Sequence, residues 1–457
     1  LGIANTFTVT AGTFNTTSSA PNTVNFNGTG AQTIPALTYS NLVLSNGNTK
    51  TATGNLDIRG NITIGTSTTF NAASFTHSVY GNWINTGTFT AGTSTVQFLG
   101  AATSYISGAT TFNILTSNTT GVSTELILQN NVSAAIVNMT NGIIQTGTNT
   151  LTITNNRTGN GYIYGNIQRT HAFNNGVAYA FEGPNNTISF SIPIGVNSVT
   201  VSVVFGSIAD FPAGNSVSRL YTVTIPAGTY TGYTYRLHYE DAELNGNDET
   251  TMGLWRANPG WASVSPVTRN TTANYIEYTA GLSNLAGRWT ASGATNIVQW
   301  NGSVSTDWNT ANNWTVVQGA ASRPPAATDI AYLGTVAFTN QPSVTTAVNV
   351  KNIVFGDTQA VTLSLNGGGS LTTSDIRGTW ATSRTHTIQV NNQNMTVNGD
   401  LYLSDGTSGH AINVSVGTGS VTVNGSLYQS GNAAITFSGA GNLTLTNDFN
   451  YTNGTFT

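Results

Sequence analysis

A chain of 457 residues is long enough for roughly two to four domains and a substantial core. Only 7% of residues are charged, the net charge is -4, and the lysines Lys50 and Lys351 stand far apart, so no cationic cluster exists to neutralise nucleic-acid phosphates or an anionic membrane. Cysteine is absent, which excludes disulfides and thiol chemistry, and no run of about 18 apolar residues is present to span a bilayer as a helix.

Thr, Asn, Ser and Gly take the place of charge, while Val, Ile, Leu and Phe recur at regular spacing. A disordered chain stays soluble through charge, so this pattern predicts a folded, all-β protein. From the N-terminus, short segments alternate apolar residues with Thr or Asp: Phe7-Thr8-Val9, Leu56-Asp57-Ile58, Ile62-Thr63-Ile64 and Leu151-Thr152-Ile153. Alternation points one side chain inward and the next outward, and Gly and Asn between the segments supply corners. Val24 lies 72 residues before Val96 in a similar phrase, and Thr13 lies 75 before Thr88. That offset would accommodate about three solenoid coils, and residues 1–165 are read as a right-handed parallel β-helix.

Over residues 166–296 the texture changes: fourteen of the thirty Asp, Glu, Lys and Arg residues fall there. The strands lengthen at 188–192, 199–205, 219–225, 233–239 and 275–278, with turns at Asp210-Phe211-Pro212 and Ile225-Pro226-Ala227-Gly228. This spacing predicts an antiparallel β-sandwich, Ig-like or jelly-roll-like, inserted as a separate globular domain. Residues 297–457 return to short strands, including Leu401-Tyr402-Leu403, Val421-Thr422-Val423 and Leu443-Thr444-Leu445, and are read as a second β-helix block. Its last residues, Phe449 to Thr457, match the opening Phe7 to Phe14 and the stretch Trp83 to Phe89. An uncapped coil exposes strand edges, so the expectation is a block open at its C-terminal end and a chain that is a window on a longer array.

Three stretches resemble repeats of very large secreted surface proteins of Bacteroidota. They are Gly81-Asn82-Trp83-Ile84-Asn85-Thr86-Gly87-Thr88-Phe89 onward to Val96; Tyr239-Glu240-Asp241-Ala242-Glu243-Leu244-Asn245-Gly246 with Leu254-Trp255-Arg256; and Trp300-Asn301-Gly302, Thr306-Asp307-Trp308 and Asn312-Asn313-Trp314. The resemblance implies export, by the type IX secretion route, to the bacterial surface and an adhesive or gliding-type role.

Several constellations are candidates for chemistry. Glu240, Asp241, Glu243 and Asp248, with Glu249, Asn245 and Asn247, offer hard oxygen ligands for calcium; the alternative is a solvated loop partnered by Arg236 or Arg256. Trp300, Trp308 and Trp314, with Trp255, Trp261 and Trp289 before them, would stack on sugars or else cap a domain junction. Asp375 and Asp400, 25 residues apart, would stack on adjacent coils near Arg377, Arg384 and His386, either as a catalytic group or as polar corner residues. The histidines His77, His171, His238, His386 and His410 lack metal spacing, and sequons such as Asn15, Asn118, Asn138 and Asn270 are expected by chance in such a composition. The reading is an extracellular, non-catalytic stalk or adhesin with no cofactor beyond possible calcium. Its partners would be copies or continuations of the same chain and possible glycans, not nucleic acid. The alternatives are a carbohydrate- or calcium-binding module and a β-helix polysaccharide lyase or hydrolase.

Overall fold

A computed structural model describes the chain apart from residues 11–13, 15, 17–20, 120–123, 212–214, 259, 294–295 and 319–320. The repeat residue Thr13, the sequon Asn15 and the turn residue Pro212 therefore lie outside the described residues. Among the described residues regular structure is β throughout, apart from the single 3-10 turns Asp241–Glu243 and Ala311–Asn313. Among the described residues no helix is long and apolar enough to cross a membrane. The fold has two compact units: Leu1–Phe205 with Arg219–Tyr239 and Pro266–Trp289, and Gly206–Ser218 with Glu240–Ser265 and Thr290–Thr457.

The first unit begins as a parallel β-solenoid. One file of strands runs Thr23–Phe26, Asn41–Leu44, Ile62–Ile64, Trp83–Asn85, Ser104–Ser107 and Glu125–Leu128, each parallel to the next. A second file runs Thr38–Tyr39, Asp57–Ile58, Thr76–Val79 and Thr95–Phe98, and a third Gln32–Ile34, Asn48–Ala52, Thr68–Asn71 and Thr88–Thr90. Period-2 alternation is why the stack works: Leu42, Ile62, Trp83 and Ile106 stand opposite one another and are all buried. Phe70, Phe89 and Phe112 surround Trp83 at ring distances of 6.3, 4.8 and 5.2 Å.

Two expectations are corrected here. Phe7-Thr8-Val9 is not a strand, although Phe7 meets Phe14 at 4.9 Å. The 72-residue similarity does not mark whole coils, because Val24 belongs to the first file and Val96 to the second. Every face needs the same alternation, so the similarity reports the chemistry of a face and not the period of a coil.

At its end the solenoid changes from parallel to antiparallel pairing. Tyr162–Arg169 is parallel to Ile143–Thr158 on one edge and antiparallel to Val199–Phe205 on the other. The sheet continues antiparallel through Arg219–Thr224 to Gly287–Ser292. The antiparallel strands thus share a hydrogen-bonded sheet with the solenoid, and residue 165 lies inside a strand. A second antiparallel sheet joins Tyr179–Ala180, Thr187–Ser191, Gly232–His238, Tyr275–Ala280 and Val267–Asn270. Trp289 of the first sheet meets Tyr235 of the second at 5.0 Å.

The second unit holds another parallel stack. Asn296–Trp300, Asp329–Leu333, Ala347–Phe355, Ser370–Gly378, Asn394–Val397, Ser420–Val423 and Asn442–Leu445 form one file. Ser343–Val344, Thr362–Leu365, Arg384–Gln389, His410–Ser415, Ala434–Thr436 and Thr455–Phe456 form a second. Leu371, Met395 and Val421 stack in register within its core.

Candidate functional site

The candidate carboxylates Asp375 and Asp400 stand on adjacent coils, where Ile376 is paired with Leu401. The backbone N–H of Asp400 donates to Oδ1 of Asp375 at 2.8 Å, and the N–H of Ser426 donates to Oδ1 of Asp400 at 2.8 Å. Each carboxylate therefore receives the backbone of the following coil. The first solenoid does the same with amides: Asn61 N–H to Asn41 Oδ1 (2.9 Å), Asn82 N–H to Asn61 Oδ1 (2.8 Å) and Tyr105 N–H to Asn82 Oδ1 (2.9 Å).

A glycine precedes most of these donors, and the reason is steric. A Cβ on Gly60, Gly81, Gly399 or Gly425 would collide with the receiving side chain, respectively Asn41, Asn61, Asp375 and Asp400. The signal was present in the sequence as Gly60-Asn61-Ile62, Gly81-Asn82-Trp83, Gly399-Asp400-Leu401 and Gly425-Ser426-Leu427. Glycine admits the approach, the polar residue carries the ladder, and the apolar residue that follows enters the core.

Arg377 and Tyr402 join the two carboxylates. Arg377 faces Asp375 at 3.3 Å, donates through Nη1 to the carbonyls of Phe211 (2.6 Å) and Ala209 (3.2 Å), and lies 4.9 Å over the Tyr402 ring. Tyr402 donates to Asp400 Oδ2 at 3.0 Å and stacks on Tyr428 at 4.4 Å with 6° between the rings. Burial, with Asp400 beside it, pushes the Tyr402 phenol well above its ordinary range. A recess of about 130 Å³ opens over this group.

The other two members of the expected cluster are placed elsewhere. Arg384 donates to the Asp357 carbonyl at 3.0 Å. His386 is fully buried and accepts the Val361 N–H at Nδ1, 3.2 Å away. Burial, helped by the Arg384 charge and opposed by Asp357, pushes its pKa down to about 4. His77 braces the first solenoid alike, facing the Leu56 N–H with Nδ1 and the Ala72 carbonyl with Nε2.

The tryptophan trio is interior. Trp300, Trp308 and Trp314 are at most 1% exposed, with ring centres 4.6 to 6.5 Å apart, and form part of the second core. Rings so enclosed have no free face to offer a sugar. Trp300 donates to the Asn340 carbonyl and Trp314 to that of Trp308, so these two indole N–H groups are spent on the backbone.

In the acidic run, Asp241 and Asp248 are exposed while Glu240 and Glu243 are half-buried. Glu243 accepts the Glu240 N–H at 3.0 Å, and Asp248 accepts the N–H and hydroxyl of Thr250, which hold its carboxyl below the usual range. Arg236, considered as a partner, forms its ion pair with Glu277 at 2.7 Å. Among the described residues no group of three or more His, Asp or Glu side chains comes together as a metal site.

The charges of the middle segment also build a buried network that spacing did not reveal. Glu182 is fully enclosed, 2.7 Å from Arg219 and 3.2 Å from His238, and the Tyr221 hydroxyl reaches it at 3.3 Å. Burial alone would raise the Glu182 pKa; His238 and Arg219 more than offset that and hold it low. Arg157 donates to the carbonyls of Gly159, Gly161 and Glu182, and Tyr162 stacks on His238 at 5.3 Å. Glu182 and His238 lie 56 residues apart and meet only because two sheets face each other.

Compared with family models, with curated proteins and with solved structures, the chain matches none of them.

Proposed function

We propose that the chain is a structural segment of a long extracellular bacterial surface protein or filament, acting as a stalk or adhesin and not as a catalyst. In this reading the two solenoids are right-handed β-helix blocks, and the antiparallel sheets that meet through Trp289 form a β-sandwich between them. The carrying observation is the corner ladder: at five corners a side chain of one coil presents to the next an acceptor for a backbone N–H, so coils add without a new folding problem. The carboxylates best placed for catalysis, Asp375 and Asp400, are engaged in that ladder. The resemblance of Gly81 to Val96, Tyr239 to Gly246 and Trp300 to Trp314 to Bacteroidota surface repeats supports export by the type IX route.

The test is direct. Antibodies raised against the chain should label the outside of intact cells of the source organism, and electron microscopy of the native material should show long fibres. Label confined to the cell interior, or compact monodisperse particles, would overturn the reading.

A further inference from the structure

A second recess lies beside the Asp375–Asp400 corner and is lined wholly by residues of the second compact unit. It consists of two adjoining cavities of about 210 and 310 Å³ that share Asp210, Gly378, Trp380 and Asp405. Together they fall in the range of small-molecule sites, roughly 300–1,000 Å³.

Two indoles line it, and both are fixed before any ligand arrives. Trp380 lies nearly parallel to the His410 ring, 5.5 Å away at 20°, and Nδ1 of His410 is held by Asp405 at 2.8 Å. Trp261 stands edge-on to Phe211 at 5.2 Å, and its Nε1 donates to Asp210 at 3.1 Å. Pre-set aromatic platforms lose little entropy on binding. Asp357 completes the lining, its Oδ2 accepting the N–H groups of Ala381 and Thr382, each at 2.7 Å.

The charge of the recess selects its ligand. Asp210, Asp357 and Asp405 face it, and among the described lining residues the one cation is Arg377, whose donors are given to two backbone carbonyls and Asp375. An anionic polymer would be repelled. A neutral sugar ring, by contrast, has an apolar C–H face suited to an indole and hydroxyl donors suited to carboxylates. We propose that this recess binds a short stretch of neutral glycan, with Trp380 and Trp261 carrying the rings and the three carboxylates accepting from the hydroxyls. The proposal does not depend on the stalk reading, since a fibre or a compact particle would carry the recess equally.

Titration of the full chain by tryptophan fluorescence and calorimetry tests it, using gluco-, manno-, xylo- and N-acetylglucosamine hexaoses with oligogalacturonate as the charged comparison. At least one neutral hexaose should bind saturably with a Kd below about 1 mM. Trp380→Ala and Trp261→Ala should each weaken that binding more than about tenfold, a loss of roughly 1.4 kcal/mol or more. Trp380→Phe should restore part of it, and Tyr105→Ala, an exposed ring in the other unit, should leave it unchanged. Circular dichroism checks that each variant is folded; should Trp380→Ala fail that check, Trp261→Ala carries the test. No saturable binding of any neutral hexaose, equal binding by the folded tryptophan variants, or tighter binding of oligogalacturonate would each overturn the proposal.

Discussion

His386 occupies the interior of the second solenoid as a neutral ring, with Nδ1 serving as the acceptor for Val361. Its folded pKa near 4 lies below the unfolded value of about 6.5, so the sign is that of a group whose protonation opposes folding. Above pH 6.5 neither state carries the proton and stability is complete. Between pH 6.5 and 4 the unfolded chain takes up a proton that the folded chain refuses, and stability falls by about 3 kcal/mol before levelling off. Burial shifts His77 and His171 in the same direction, which adds to the fall. Urea unfolding from pH 7.5 to 4 should show this, and His386→Gln should flatten part of the slope. An identical slope in the variant would mean that other groups carry the effect. That His77 and His386 are buried braces was not legible in the sequence, because a lone His carries no mark of burial.

The coil corner is the element on which both solenoids depend. Gly81 sits where a Cβ would meet Asn61 Oδ1 and the Gly60 carbonyl, so Gly81→Ala must push the corner apart or break the ladder. A cost of about 1–3 kcal/mol is expected in chemical denaturation, the usual penalty for overpacking. Gly253→Ala, where nothing lies within 4 Å of the added carbon, should cost much less. Equal costs at the two positions would show that the corner relaxes freely. The strands Ile62–Ile64, Ser420–Val423 and Asn442–Leu445 were legible in their alternation, and so were the Gly-Asx corners. Which face a strand occupies was not: Val24 and Val96 look alike because every face obeys the same in-out rule.

At the scale of the whole molecule, the chain stays folded with few charges and no crosslinks, and the expectation is that it needs no metal ion for this. Glu243 and Asp248 already receive backbone and hydroxyl donors, and among the described residues no three acidic or histidine side chains come together in a way that could hold a metal ion. Thermal unfolding in EDTA should therefore coincide with unfolding in millimolar calcium. A rise of more than a few degrees on adding calcium would put an ion on the chain, with the acidic run as the first place to look. The sequence by itself determined the all-β class and the parallel coils, since each rests on local alternation and turn chemistry. Only the tertiary structure decided the rest. It placed Trp300, Trp308 and Trp314 inside, turned Asp375 and Asp400 into ladder acceptors, and joined the antiparallel strands to the solenoid's own sheet. It also brought Glu182, Arg219 and His238 into one buried group. Each of these depends on which surfaces meet across tens of residues of chain, and local periodicity holds no record of such pairings.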